Sequence, residues 1–154
     1  MTHANPDLTV VLFYSSDDFI TSVKELTGIA LASSALPSGA FLVFVDGGKN
    51  FELWRWHRHG PERVVRLAWS DVRSVDVGQF THLVMTDRAV ILTLKVGAST
   101  VPIPISPQAR GRLRLRPLND EGFTTVLAHC QKQMRAAQML PRSVPIAKRE
   151  SGSG

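Results

Sequence analysis

The residues best suited to binding chemistry lie between positions 110 and 116, where arginines alternate with small and apolar residues. The stretch reads Arg110-Gly111-Arg112-Leu113-Arg114-Leu115-Arg116. In an extended chain successive side chains point to opposite faces, so the four guanidinium groups would share one face. Guanidinium groups bind phosphate and carboxylate through paired hydrogen bonds, so such a row could hold lipid phosphates, an acidic peptide or nucleic acid. The alternative is an additional edge strand that packs two leucines and leaves Arg110, Arg112, Arg114 and Arg116 solvated.

Tryptophans and histidines alternate in a second segment, which reads Trp54-Arg55-Trp56-His57-Arg58-His59. His57 and His59 share one strand face at a spacing seen in some metal sites. No third ligand lies nearby in sequence, so we predict no metal. Trp54 and Trp56 share the opposite face, where they could stack the bases of a single-stranded nucleic acid. Packing within a barrel, or covering an exposed sheet face, is the interpretation that we favour for the two tryptophans.

Catalysis has little support in the sequence, which contains no Gly-rich phosphate loop, nucleophile elbow or HExxH-type motif. Cys130 follows His129, but adjacent helix positions diverge by about 100°, so the histidine is poorly placed to activate the thiol. We expect Cys130 to behave as a small buried hydrophobic residue. Five acidic residues are candidates for catalytic groups: Asp46, Glu52, Asp71, Asp76 and Asp87. They fall mostly at turns or on alternating strand faces, where carboxylates are usually solvated. The sequence therefore predicts a protein that is not an enzyme and that carries no cofactor.

The elements that position these residues are organised around a corner at Trp69-Ser70-Asp71. An apolar strand end runs into Trp69. The side chains of Ser70 and Asp71 can bond nearby backbone N–H groups, which favours a turn or a one-turn helix. Alternation with a period of two resumes at Val72. We predict that one sheet ends here, that a second begins, and that Trp69 is buried at the corner.

Seven segments separated by turns are predicted to form strands within residues 29–105. They are Ile29 to Leu36, Ala40 to Val45, Asn50 to His57, Arg63 to Trp69, Arg73 to Gln79, Ala89 to Lys95 and Val101 to Ile105. In the last segment Pro102 and Pro104 lack N–H donors on the same side. Only the other side of this strand can pair fully, so we expect it at a sheet edge.

One further strand and two helices complete the predicted elements. Leu8 to Tyr14 is typical of a buried strand, and Ser15-Ser16-Asp17 offers an N-cap for a short helix that Gly28 ends. A longer helix is predicted from Asp120 to about Leu140, capped by Asn119 or Asp120. We expect its apolar stripe to be buried against the rest of the domain. The stripe consists of Phe123, Val126, Leu127, Cys130, Met134 and Ala137.

Length and composition are those of a single globular domain, which we assign to residues 1–140, with a flexible tail at 141–154. Of the 154 residues, 44% are hydrophobic and 20% are charged, which is typical of soluble proteins. The single cysteine permits no intrachain disulfide, and no apolar run approaches the ~20 residues that span a bilayer. A cytoplasmic location is therefore expected.

Charge is distributed unevenly along the chain. Residues 1–54 carry a net charge of −4 and residues 55–154 a net charge of +9, and arginine supplies 13 of the 18 basic side chains. Such an asymmetry could steer an anionic partner to one end of the molecule. It could equally reflect a GC-rich genome that favours arginine codons.

The corner and its surroundings resemble the pleckstrin-homology-like (PH-like) superfold, and especially its bacterial PH and GRAM-type branch. There the strand before the corner often ends in the pattern Ile/Leu-x-Trp-x-Asp/Glu-Ile/Val, which Leu67-Ala68-Trp69-Ser70-Asp71-Val72 matches. The resemblance covers roughly residues 29–140. It implies a mainly β fold, a partly open barrel of about seven antiparallel strands in two sheets, closed by the C-terminal amphipathic helix at 119–140. Residues 8–27 would be an N-terminal strand-helix extension, and residues 106–118 an unusually long connection.

A PH-like fold implies binding more often than catalysis, although folds alone are weak guides to function. We therefore expect a binding or scaffold module, with a protein partner ahead of other ligands. One alternative is that Arg110, Arg112, Arg114 and Arg116 bind an anionic membrane surface or, less readily, nucleic acid. Another is a small enzyme or ligand-binding barrel whose site the sequence does not reveal. The oligomeric state is left open.

Overall fold

The computed structural model describes residues 9–27, 40–57, 59–82, 85–110 and 115–139. These residues form nine β-strands, two α-helices and a single turn of 3-10 helix at Trp69–Asp71. The strands are β1 (Thr9–Tyr14), β2 (Phe41–Asp46), β3 (Asn50–His57), β4 (Gly60–Ala68), β5 (Val72–His82), β6 (Met85–Val96), β7 (Ser99–Ile105), β8 (Gln108–Arg110) and β9 (Leu115–Pro117). The helices are α1 (Asp17–Thr27) and α2 (Asp120–Met139). Neither helix combines the length and hydropathy needed to cross a membrane.

The described strands form two antiparallel sheets. Six strands pair in the order β4-β3-β2-β1-β8-β9, and three pair in the order β5-β6-β7. The chain passes from the first sheet to the second through the 3-10 turn, because β4 ends at Ala68 and β5 begins at Val72. Trp69 is fully buried at this point. The predicted change of sheet at Trp69-Ser70-Asp71 is confirmed, and the protein is mainly β.

Strand β1 is an inner strand of the six-stranded sheet. It pairs along its whole length with β2, from Thr9 opposite Asp46 to Tyr14 opposite Phe41, and Leu12 on its other side pairs with Gln108 of β8. The strand expected first in the PH-like series, at residues 29–36, lies outside the described residues. Residues 8–27, predicted to add a strand and a helix ahead of that series, contain β1 and α1, and β1 is part of the six-stranded sheet.

The core lies between the two sheets and is closed by both helices. Its largest buried side chains, each less than 2% exposed, include Trp69, Phe13, Phe19, Phe44, Phe51, Leu42, Leu53, Leu92, Leu94 and Ile103. The predicted stripe of α2 faces this core: Phe123 and Cys130 are buried, and the other four stripe residues pack against the core cluster. Arg88 on β6 holds the start of α2, since its guanidinium lies 4.7 Å from the ring centroid of Phe123 and 2.7 Å from an Asp120 carboxylate oxygen.

Both helices also lie along the edges of the three-stranded sheet. Strand β7 is at one edge, as predicted. There the Ser22 hydroxyl of α1 donates a 2.5 Å hydrogen bond to the Pro102 carbonyl. At the other edge the side-chain amides of α2 donate to β5, from Gln131 to the Val75 carbonyl (3.5 Å) and from Gln138 to the Val72 carbonyl (3.4 Å). The helices thus satisfy backbone groups that an open edge would expose to another chain.

Both helices begin at the caps expected from their sequences. The Ser16 hydroxyl accepts a hydrogen bond from the Phe19 amide at 3.0 Å, and Asn119 Oδ1 accepts one from the Gly122 amide at 2.8 Å. Each bond satisfies one of the amide groups that the first turn of a helix leaves without a partner. Asn119, rather than Asp120, is therefore the cap of α2.

Candidate functional site

Strand β2 is apolar on both of its faces. Its side chains alternate between buried Leu42, Phe44 and Asp46 and half-buried Phe41, Val43 and Val45. An antiparallel sheet that packs on one side usually carries polar residues on the other. The outward residues of β2 depart from that rule.

The outward residues of the neighbouring strands are apolar as well, except Glu52 of β3, which pairs with Val45. Residues paired directly across antiparallel strands share a face. On one side of β2, Val45 pairs with Val10 and Val43 with Leu12 of β1. On the other side, Val43 pairs with Trp54 of β3. We call this surface the outer apolar face, and it comprises Val10, Leu12, Tyr14, Phe41, Val43, Val45, Trp54 and Trp56.

The outer apolar face is not packed against the core of the protein. Val10 is 55% exposed and Trp56 is 72% exposed, while the other six residues are half-buried. None of the eight belongs to the core cluster or to the partly buried hydrophobic residues around it. The two helices pack elsewhere, with α1 against β7 and α2 against β5 and the corner. Trp54 and Trp56 share this face, and neither belongs to the core cluster.

Strand β4 borders the outer apolar face and is protected against edge pairing. It carries Pro61 and three exposed charged residues, Glu62, Arg63 and Arg66. Prolines and charges on an edge strand oppose the addition of a further strand. A partner is therefore more readily accommodated on the face of this sheet than along its β4 edge.

A buried polar cluster joins α2 to the corner. Asp46 is fully buried, and its Oδ1 accepts hydrogen bonds from Trp69 Nε1 and from the Gly48 amide, both at 2.8 Å. Its Oδ2 lies 2.7 Å from Gln133 Nε2, which donates to it, and 2.5 Å from His129 Nε2. Gly48 has a φ of 95°, which favours glycine at this point of the β2–β3 turn. We call these five residues the Asp46 cluster.

The expectation that Asp46 is solvated at a turn is wrong. The alternation of β2 places its side chain on the inner face with Leu42 and Phe44. Burial on its own would raise the pKa of Asp46, but the hydrogen bonds from Trp69, Gln133, Gly48 and His129 outweigh burial and hold the pKa below its ordinary value. Asp46 is therefore a charged group that the surrounding donors stabilise in the interior.

The Asp46–His129 pair lies beside a thiol that is not activated. Cys130 is only 3% exposed, as predicted for a residue of the α2 stripe. Burial, together with the negative charge of Asp46, raises the pKa of the Cys130 thiol to about 12. A thiol in that state is a poor nucleophile, because the thiolate is the reactive form. The Asp46 cluster is arranged to hold the β2–β3 turn, the corner and α2 together.

A small apolar cavity lies close to Cys130. It is lined by Val11, Phe44, Val90, Ile105, Val126 and Cys130, and its volume is about 10 Å³. That is roughly the space of one water molecule, whereas pockets for small molecules occupy about 300–1,000 Å³. This cavity is too small and too apolar to serve as a substrate site.

The arginine stretch is divided between two short strands. β8 ends at Arg110 and β9 begins at Leu115, and the two strands pair antiparallel, with Arg110 opposite Leu115 and Ala109 opposite Arg116. Arg110 and Arg116 therefore lie on two paired antiparallel strands, and the four residues between these strands lie outside the described part of the chain. Arg116 is exposed. Arg112 and Arg114 lie outside the described residues, as does the side chain of Arg110, so binding of an anionic partner here stays a prediction.

No three His, Cys, Asp or Glu side chains converge as metal ligands within the described part of the chain. The side chain of His57 lies outside that part. No protein-family model, no curated protein and no solved structure matches this chain.

Proposed function

We propose that the protein is a non-enzymatic, PH-like binding module that engages a protein partner through its outer apolar face. The order of the elements supports the PH-like assignment. β1 to β4 are consecutive antiparallel neighbours, the corner at Trp69–Asp71 leads to β5, β6 and β7 as a second consecutive set, and α2 follows. Between β7 and α2, β8 and β9 add to the first sheet beside β1.

The exposure of apolar side chains on the outer face carries this proposal. An apolar surface in contact with water is unfavourable by roughly 25 cal/mol per Å², so its burial by a partner is a source of binding free energy. Contiguous apolar patches on soluble proteins commonly mark interaction sites. Exposed tryptophans in particular tend to become the dominant contacts of interfaces. Trp56, at 72% exposure, has the character of such a contact.

A protein partner suits this face better than the anionic ligands considered above. Nucleic acids and lipid headgroups are held mainly through phosphate contacts with basic side chains. The outer apolar face has valine, leucine and aromatic side chains at its centre and arginines only along the β4 border.

Recovery of partners by matched variants tests the proposal. The bait is the purified protein in lysate of the source organism, compared with Trp56→Ala, Val10→Ser and Val77→Ser. Val77 is the control, because it is 56% exposed against 55% for Val10 but lies on the other sheet. We expect the same proteins to be retained by the wild type and by Val77→Ser, and to be lost with Trp56→Ala and Val10→Ser.

Stability must be measured alongside binding. Substitutions at exposed positions usually change the free energy of unfolding by less than about 0.5 kcal/mol, so all four proteins should unfold at similar denaturant concentrations. Identical retention by all four would show that the outer apolar face is not the binding surface.

A further inference from the structure

A basic border runs along the β4 side of the outer apolar face. Arg63 is paired in register with Trp54, and Arg66 with Glu52, so both arginines occupy outward positions next to β3. A ligand that covers Trp54 and extends toward β4 would therefore reach Arg63 and Arg66. The side chain of Arg63 is 49% exposed and Arg66 is also exposed.

The acidic residues near this border are already engaged. Outward Glu52 lies 3.4 Å from Arg63, and Glu62, whose register partner Arg55 is on the inward face of β3, binds Arg55 with a shortest distance of 2.6 Å. Arg66 forms no ion pair with any carboxylate of the described residues. The border therefore presents an excess of positive charge to whatever covers the apolar centre.

The dimensions of the outer apolar face suit a single segment of chain. The outer apolar face together with its β4 border covers four strands and spans about 14 Å, since neighbouring strands lie about 4.8 Å apart, and six residues of β2 extend about 20 Å. A helix of about 14 residues is about 21 Å long and about 10 Å wide, so one helix matches these dimensions.

Charge argues against a second copy of this chain as the occupant. Each copy has a net charge of +5 and the same basic border, so two copies packed face to face would repel each other. A segment that carries carboxylates beside its apolar side chains would instead be attracted to Arg66 and Arg63.

We infer that the partner is an acidic amphipathic helix, whose apolar side chains cover the outer apolar face and whose carboxylates lie against Arg63 and Arg66. The inference rests on the proposed function and specifies the partner's chemistry. Trp56 and Val10 contribute the apolar contact, and Arg66 selects for negative charge.

Two synthetic peptides test this chemistry directly. One is a helix of about 16 residues with leucines on one face and glutamates and alanines elsewhere. The other is identical except that every glutamate is lysine. Affinities are measured by fluorescence anisotropy of labelled peptide at 0.05 M and 0.5 M salt, with the wild type, Trp56→Ala, Arg66→Gln and Val77→Ser.

The glutamate peptide should bind the wild type and Val77→Ser equally. We expect Trp56→Ala to weaken binding by at least about tenfold, as for other aromatic residues that dominate interfaces. Arg66→Gln should weaken binding at low salt and reduce its dependence on salt, because a screened charge is removed. The lysine peptide should bind at least about tenfold more weakly than the glutamate peptide.

Three results would overturn the inference: equal binding of the two peptides, no binding of the glutamate peptide, or no effect of Trp56→Ala. Sedimentation of the protein alone provides a fourth, since a dimer that Trp56→Ala dissociates would identify a second copy as the occupant. Failure with the peptides, combined with selective loss of lysate partners by Trp56→Ala, would refute only the acidic amphipathic chemistry. Failure of both experiments would refute the proposed function as well.

Discussion

Replacing Asp46 with alanine removes the acceptor of four hydrogen bonds inside the protein. Trp69 Nε1, the Gly48 amide, Gln133 Nε2 and His129 Nε2 all lie within 2.8 Å of its carboxylate oxygens. Alanine would leave the Trp69 N–H without a partner in the interior, where an unsatisfied donor costs about 1–3 kcal/mol, and would deprive three partly buried donors of their charged acceptor. Because the bonds share one acceptor, their contributions are not additive.

The expected loss in the free energy of unfolding is about 3–5 kcal/mol, because one fully buried donor and three partly buried donors lose a charged acceptor. That is a large share of the ~5–15 kcal/mol by which most domains are stable. Asp46→Asn should cost less, about 1–3 kcal/mol, because its carbonyl can still accept from Trp69 and Gly48. Comparing the free energies of unfolding of the wild type, Asp46→Asn and Asp46→Ala therefore separates the contribution of hydrogen bonding from that of packing.

Urea denaturation followed by tryptophan fluorescence and by near-ultraviolet circular dichroism measures these differences. Asp71→Ala is the matched control, because Asp71 belongs to the same corner but is exposed, and it should change stability by less than about 0.5 kcal/mol. If the free energy of unfolding of Asp46→Ala differs from that of the wild type by less than about 0.5 kcal/mol, Asp46 does not hold α2 to the corner. Equal losses for alanine and asparagine would show that hydrogen bonding to the neutral carbonyl contributes nothing.

Three further predictions concern the same region. Trp69→Ala should lower the free energy of unfolding by about 3–5 kcal/mol, since the ring is fully buried, with its centroid 4.6 Å from that of Phe51; an unchanged urea midpoint would contradict this. Because the pKa of Asp46 is lowered on folding, the stability it contributes is present above its unfolded pKa of about 3.9 and is lost as the pH falls through the folded pKa. Urea midpoints measured between pH 6 and pH 2.5 should therefore fall more for the wild type than for Asp46→Asn, and parallel curves would refute the assignment. The Cys130 thiol, with its pKa raised to about 12, should react with a disulfide reagent many times more slowly in the native protein than in guanidinium; equal rates would show that the thiol is accessible.

The features that the sequence predicts correctly depend on local rules. Trp69 is recognisable as a corner because Ser70 and Asp71 interrupt the alternation of the flanking strands. Pro102 and Pro104 identify an edge strand because each lacks a donor, whatever the rest of the fold. The α2 helix follows from the spacing of its apolar residues alone.

The Asp46 cluster could not be predicted in this way. Asp46 and His129 are separated by 83 residues, and nothing in either local segment indicates the other. A polar residue next to two glycines usually indicates an exposed turn. The one available signal is the alternation of β2, which places Asp46 on the same side as Leu42 and Phe44.

The outer apolar face was visible in the sequence but open to two interpretations. The segments Val10 to Tyr14 and Phe41 to Val45 are continuous apolar runs. Such runs are typical of strands that are covered on both faces. Only the strand order and the placement of α1 and α2 reveal that the core covers one face and that neither helix packs on the other.

The strand edges β4, β5 and β7 are protected against pairing with another chain, whereas Trp56 and Val10 of the outer apolar face are exposed. Unpaired strand edges are hazardous because any extended chain can pair with them. Here α1 and Pro102 protect β7, the glutamines of α2 protect β5, and Pro61 with its charged neighbours protects β4. A chain that protects these edges while keeping Trp56 and Val10 exposed limits association through the backbone but allows it through side chains. Side-chain contacts depend on shape and charge, so under the proposed function the outer apolar face would distinguish its partner from other proteins.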